Sequence, residues 1–221
     1  MKRSAIEAAI AEAAKAFDAA GLALPPFAIW TVDAWKAHSG THAYTSGLGW
    51  DVTDFGGGRF DERGLTLFSM RNGDAGELAA GRGFSYAEKA LYVKEGQVTP
   101  LHRHNIKVED IIVRGTGTLA LKLRKSAKDG SPGPAARLSL QCDGMERETD
   151  DEGILRLSRG ESVTLTTDIW HAFWAEGGPV VVGEVSSVND DATDNVFAEP
   201  LPRFPSIEED VAAKTLLAGE R

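Results

Sequence analysis

The chain has 221 residues, 42% of them apolar, and its 33 acidic against 24 basic side chains leave a formal charge of -9. That length suits one large domain or two small ones, and an acidic surface repels phosphates, which sets aside nucleic acid and anionic membranes as partners. The single cysteine, Cys142, excludes an intrachain disulfide framework and a Cys-based zinc module, and it fits a reducing, cytoplasmic setting.

The start, Lys2-Arg3 followed by alanines, is interrupted by Glu7, Glu12, Lys15 and Asp18, so the uncharged core of a secretory signal is not expected. Nor does any stretch approach the roughly 20 apolar residues of a membrane span. Ser4 and Glu7 have capping-box spacing, Ile6, Ile10, Ala13 and Phe17 recur at helical intervals, and Gly21 supplies a left-handed stop, which predicts a helix over 4–20. Pro25-Pro26 ends it, and Phe27, Ile29, Trp30 and Trp35 then read as an aromatic segment laid on the core. Leu65 to Phe68, between Gly64 and Asn72-Gly73, reads as a strand and turn.

From Tyr86 onward, short β-prone runs follow at 90–93, 111–113, 118–123, 137–140, 154–157, 162–165, 172–174 and 180–185, separated by turn residues such as Glu95-Gly96, Asp143-Gly144 and Gly177-Gly178. Leu119, Leu121 and Leu123 alternate with polar or small residues, as on a strand with one wet face. About eight strands with no helical pattern between them predict a mainly β jelly-roll barrel with an N-terminal helical arm. The expected organisation is one domain over 1–221, an arm over 1–48 and a barrel core over about 85–190. Residues 125–136 have the composition of a mobile excursion.

Five histidines occur, and His102 and His104 end an extended run that begins at Val98. In a strand, residues i and i+2 face one side about 6.6 Å apart, so both imidazoles can turn onto one ion. Glu109 lies five residues beyond His104, after Asn105 to Val108, where a hairpin turn would return it beside them, and His171 opens a later β-prone run. Three nitrogens and one oxygen suit Mn, Fe, Co, Ni or Zn and leave coordination positions open to substrate. The plainer alternative is a set of ordinary core or surface histidines, the reading given to His38 and His42. The frame decides between them: Gly96, five residues, His102-x-His104, four residues, Glu109, five residues, Gly115 resembles the first cupin motif. The second motif is looser, with Thr166-Thr167-Asp168 before His171 where the family usually has Pro-x-Gly, and Ala175 where it has Asn.

The chain further resembles the bacterial D-lyxose ketol-isomerases. The matching segments include 48–56 (Leu48-Gly49-Trp50-Asp51-Val52-Thr53-Asp54-Phe55-Gly56), Tyr86-Ala87-Glu88-Lys89, Gln97-Val98-Thr99-Pro100, Glu109-Asp110-Ile111-Ile112, His171-Ala172-Phe173-Trp174-Ala175-Glu176 and the run Gly183-Glu184-Val185-Ser186 that continues to Asp191. The resemblance implies a cupin double-stranded β-helix and a divalent metal, most commonly Mn2+, with Zn2+, Co2+ or Fe2+ as alternatives, held by His102, His104, Glu109 and His171. It also implies interconversion of D-lyxose with D-xylulose, and of D-mannose with D-fructose, through an enediol.

That chemistry needs a group to carry the C2 proton to C1. Lys89 shares a face with Leu91 and Val93, and Glu184 interrupts the apolar run 180–185, so this pair is the expected acid and base; a buried structural salt bridge is the alternative. Asp110 adjoins Glu109 and is expected on the opposite face. Trp170, Trp174 and Trp50 are candidates to line the sugar, and Asn189, Asp190, Asp191 and Asp194 are candidates to bind its hydroxyls; core packing and a solvated loop are the respective alternatives. Arg103, between two inward histidines, is expected to face outward, and with no Gly-rich phosphate loop the substrate is expected to be a free sugar. An Fe(II) cupin oxygenase and a non-enzymic sugar-binding cupin are the rival readings, and a homodimer is the expected assembly.

Overall fold

The computed structural model describes residues 1–188, 190 and 193–221. Helix α1 (Arg3–Ala19) carries a buried stripe of Ile6, Ala9, Ala13 and Phe17. Its stop is as expected: Gly21 has φ 75°, and Gly21 N–H donates to the Asp18 carbonyl while Leu22 N–H donates to that of Phe17. Its start is not. Lys2 is the N-cap without a side-chain bond, and the Ser4 backbone N–H and hydroxyl both donate to the Asp210 carboxylate at 2.9 and 2.6 Å. Glu7 accepts from Lys214 N–H instead of closing a capping box, so the far end of the chain satisfies this helix terminus.

After the short helices α2 (Val32–Ala37) and α3 (His42–Thr45), the chain runs through β1 (Gly49–Thr53), β2 (Leu65–Asn72), α4 (Ala75–Ala79), β3 (Tyr86–Val93), β4 (Thr99–His104), β5 (Glu109–Val113) and β6 (Thr118–Lys125). It continues with β7 (Ser139–Cys142), β8 (Met145–Glu148), β9 (Ile154–Leu157), β10 (Ser162–Leu165), β11 (Ile169–Glu176), β12 (Val180–Ser187) and β13 (Asn195–Phe197). A six-stranded sheet, β1-β2-β3-β12-β5-β10, faces a five-stranded one, β13-β4-β11-β6-β9, and all the pairings are antiparallel. This is the cupin double-stranded β-helix. Leu91, Ile111, Leu121, Leu157, Phe173 and Val182 form part of the core between the sheets.

The other face of the six-stranded sheet is covered by the arm. Ile6 and Phe17 pack on Trp50, Phe68, Tyr92 and Val181; Phe17 stacks on Trp50 at 5.9 Å, and Phe27 on Phe68 at 5.4 Å. The sheets begin earlier and end later than residues 85–190, because β1, β2 and β13 belong to them. The strand expected over 137–140 lies two residues later and pairs with β8 as a separate hairpin. Residues 125–136 are a compact turn, not a loose excursion, closed by Ala127 N–H to Ser131 O and Gly133 N–H to Lys125 O. No helix among the described residues is long and apolar enough to cross a membrane.

Candidate metal centre and its cavity

Alternation along β4 turns His102 and His104 inward, while Arg103 faces away and lays its guanidinium over the Trp170 ring at 5.4 Å. Antiparallel pairing of β11 with β4 sets His171 directly opposite His102, so the late histidine arrives by sheet register. Ligand atoms of His102, His104 and His171 all lie within 4.8 Å of one another, and all three residues are buried. Glu109, the first residue of β5, puts its Oε1 at 3.0 Å from His171 Nε2 and 3.4 Å from His104 Nε2.

The donor set suits a divalent cation. His102 Nδ1 lies 2.8 Å from the Pro100 carbonyl and His171 Nδ1 3.3 Å from that of Ile169, which favours the Nδ1–H tautomer and leaves the Nε2 lone pairs for an ion. Nε2 of His104 and Nε2 of His171 are buried without a hydrogen-bond partner, an arrangement that an ion would satisfy, while His104 Nδ1 faces the Asp194 carboxylate at 3.9 Å. Burial holds His102 and His104 below the ordinary imidazole value, with the neighbouring histidines adding to the effect at His102. Neutral imidazole is the ligating form. Burial alone would raise the Glu109 carboxyl, but the Lys107 ammonium and His104 outweigh it and hold the group well below the usual carboxylate range.

Lys89 and Glu184 are register partners on β3 and β12, with Nζ to Oε1 at 3.3 Å, and both are almost fully buried. Between this pair and the metal ligands stands Lys107, whose Nζ is 2.7 Å from Glu109 Oε2 and 2.8 Å from Glu184 Oε1. Burial again pushes the Glu184 carboxyl up, and Lys107 and Lys89 together bring it below its ordinary value. Two carboxylates and two ammonium groups thus share one desolvated wall, with three imidazoles opposite.

The D-lyxose isomerase family model matches residues 1–220. The chain is 42% identical over 226 residues to the D-lyxose/D-mannose isomerase of Serratia proteamaculans, covering all of this chain and 97% of that protein. It is 41% identical to the D-lyxose/D-mannose isomerase of Escherichia coli O157:H7, again over its full length and 98% of the relative. The chain belongs to the D-lyxose isomerase family. Among solved structures, the L-ribose isomerases of Cellulomonas parahominis (with L-ribose) and Geodermatophilus obscurus superpose with a TM-score of 0.62 each, at 18% and 17% identity, over 94% of this chain and 98% of theirs. At that identity the likeness shows the fold.

In this D-lyxose isomerase family member, the metal-centre cavity is also walled by Thr99, Phe55, Asn195, Phe197 and Arg203. Strand β13 brings Phe197 beside His102, with ring centroids 5.6 Å apart, and Arg203 follows it across the barrel mouth. Lys107 and Arg203 were not singled out by sequence. For Lys107 there was a signal, since it shares the two-residue spacing with Glu109 that joins His102 to His104.

The expected sugar-lining tryptophans are not in this wall. Trp170 and Trp174 alternate with His171 and Phe173 on β11 and so face outward; Trp174 donates to Glu176 Oε1 at 3.1 Å. Trp50 packs under α1 and donates to the Ala28 carbonyl. Asp190 is exposed, accepts from the Thr193 hydroxyl at 2.5 Å, and lines a different cleft. Asn189 and Asp191 lie outside the described residues. Asp194 is buried below His104 and accepts from the N–H groups of Ile106 and Lys107, shaping the turn that carries Lys107 inward. Asp110 faces away, as expected, and accepts from the Thr164 hydroxyl at 2.6 Å. His38 stacks on Trp30 and His42 bonds the Asn72 carbonyl, both away from the cavity.

Proposed function

We propose that this protein is a divalent-metal aldose-ketose isomerase interconverting D-lyxose with D-xylulose, and D-mannose with D-fructose, through an enediol. The observation that carries the reading is the convergence of three buried imidazoles and the Glu109 carboxylate beside a second, independent carboxylate-ammonium pair. His102, His104, Glu109 and His171 would hold the ion, for which Mn2+ is proposed. A bound divalent ion supplies Lewis-acid stabilisation of the negative charge that develops on O1 and O2.

The remaining work falls to the chain's own side chains. Glu184, kept ionised by Lys107 and Lys89, takes the proton at C2 and returns it to C1, and the Lys89 ammonium is its acid partner at the sugar oxygen. Lys107 ties Glu184 to Glu109, so the base and the ligand set move as one unit. Phe55 and Phe197 pack edge to face beside the site and restrict water. Assay in D2O with NMR detection tests the reading: metal-loaded protein should form ketose from D-lyxose and from D-mannose. Absence of ketose from both sugars overturns it. The same reading places the enzyme in the cytoplasm as a homodimer, which light scattering of the purified protein checks.

A further inference from the structure

The cavity at the metal centre has a volume of about 40 Å³, enough for an ion and roughly two or three waters but not for a whole sugar. A larger cleft of about 530 Å³ opens at the same barrel mouth. Two features of the sheet tie the spaces together. Ser69, in the cleft wall, is the register partner of Lys89, which is the partner of Glu184 in the cavity wall, so one inward row of side chains runs from cleft to cavity. Asp51, also in the cleft wall, sits opposite Leu67 of the cavity, and its Oδ2 is 2.7 Å from Nη2 of the cavity residue Arg203.

Asp51 is 3% exposed, yet its Oδ1 has no hydrogen-bond partner. An ionised carboxylate oxygen accepts only, and leaving it buried and unsatisfied is unfavourable, so a ligand that brings a donor such as a hydroxyl into the cleft would complete it. Asp74 and Asp190 share the cleft and make it hostile to a phosphorylated sugar, while the Phe204 ring offers an apolar face to C–H groups.

We propose that this cleft seats the non-reacting end of the sugar. Asp51 Oδ1 accepts a hydrogen bond from the terminal hydroxyl that a six-carbon aldose has and a five-carbon aldose lacks. Asp51 is then a specificity-determining residue that favours the hexose. The proposal rests on the isomerase reading and adds chain-length selection to it.

The test is the ratio of kcat/KM for D-mannose to that for D-lyxose. Asp51→Asn removes the charge and disturbs Arg203 for both sugars alike, so the ratio isolates the terminal contact. The expected fall in that ratio is about 10- to 100-fold, the effect of losing a hydrogen bond to a charged acceptor. An unchanged ratio overturns the proposal. Ser69→Val narrows the cleft without touching Arg203 and is read in the same way should Asp51→Asn not fold. Wild-type protein that converts neither sugar overturns the isomerase reading instead. Saturation-transfer NMR with D-mannose reads the contact without turnover: strong saturation at the C6 protons, lost in Asp51→Asn, is expected, and no saturation at C6 in the wild type counts against the cleft.

Discussion

Strands β3 and β12 lie side by side, and the two faces of this one ribbon do opposite work. On the inner face Lys89 and Glu184 are buried charges joined to Lys107 beside the candidate metal ligands. On the outer face Ala90, Tyr92 and Val181 pack under Ile6 and Phe17 of α1. A single residue step separates the chemistry from the packing, and a one-residue slip of register would exchange them. The geometry of these buried charges is therefore a consequence of sheet register, and α1 packs on the far side of the same strands.

The comparison breaks most sharply at the ligands. His171→Ala should abolish both metal binding and detectable turnover, as read by elemental analysis and ketose formation, and retention of either would contradict the assignment. Within the inner face, Glu184→Gln should keep its metal and lose roughly 10²- to 10⁴-fold in kcat, the usual span for a general acid-base group. Lys89→Met should fall in the same direction; full activity in either variant would leave that residue a structural ion-pair partner.

On the outer face the expected loss is of stability rather than chemistry. Phe17→Ala removes a fully buried ring stacked on Trp50 and should cost about 3–5 kcal/mol in urea unfolding. The folded fraction should keep its kcat, and a large fall in kcat at unchanged stability would show that the two faces are not separable.

The smallest expected effect is a pH dependence of the metal-free protein. His102 and His104 lie below the ordinary imidazole value of 6.5 when folded, because burial disfavours their charged form. Below that value the unfolded chain binds protons that the folded chain does not, so stability should fall as pH drops from 6.5 toward 5. Glu109 and Glu184, both held below their ordinary value of 4.5 when folded, add a slope of the same sign that begins only near pH 5, as the unfolded carboxyls start to bind protons, and grows at more acid pH. Bound metal should suppress the effect, since protons and the ion compete for the same lone pairs. Urea midpoints that rise on acidification would contradict the sign.

Local rules made the ligand set legible. His102 and His104 share a face through two-residue alternation, but no hairpin returns Glu109: β4 and β5 belong to different sheets, and the 105–108 connection crosses from one sheet to the other to bring Glu109 beside the histidines. The same alternation explains the misplaced tryptophans: adjacency to His171 in a strand means the opposite face, so Trp170 and Trp174 could not line its cavity. The two-residue spacing of Lys107 from Glu109 is masked because the 105–108 turn reads as a simple connector, whereas the Asp194 carboxylate, from a distant segment, accepts from the Ile106 and Lys107 N–H groups and bends it inward. The segment Leu48 to Phe55 is expected near the barrel opening, where Asp51 does lie, but the pairing of Asp51 with Arg203 is beyond reach for a related reason. They are separated by some 150 residues, and only the edge strand β1 and the chain crossing the barrel mouth bring them within 2.7 Å. Likewise, no local pattern announces that Asp210 would take the place of a Ser4 capping box.

The most direct check is the metal content of the purified protein, followed through chelation and reloading with Mn2+ while D-lyxose turnover is recorded on the same samples. One ion per chain, loss of turnover on its removal and recovery in proportion to reloading are the predicted results. Undiminished conversion of D-lyxose by protein from which no divalent ion can be detected would contradict a metal centre built from His102, His104, Glu109 and His171.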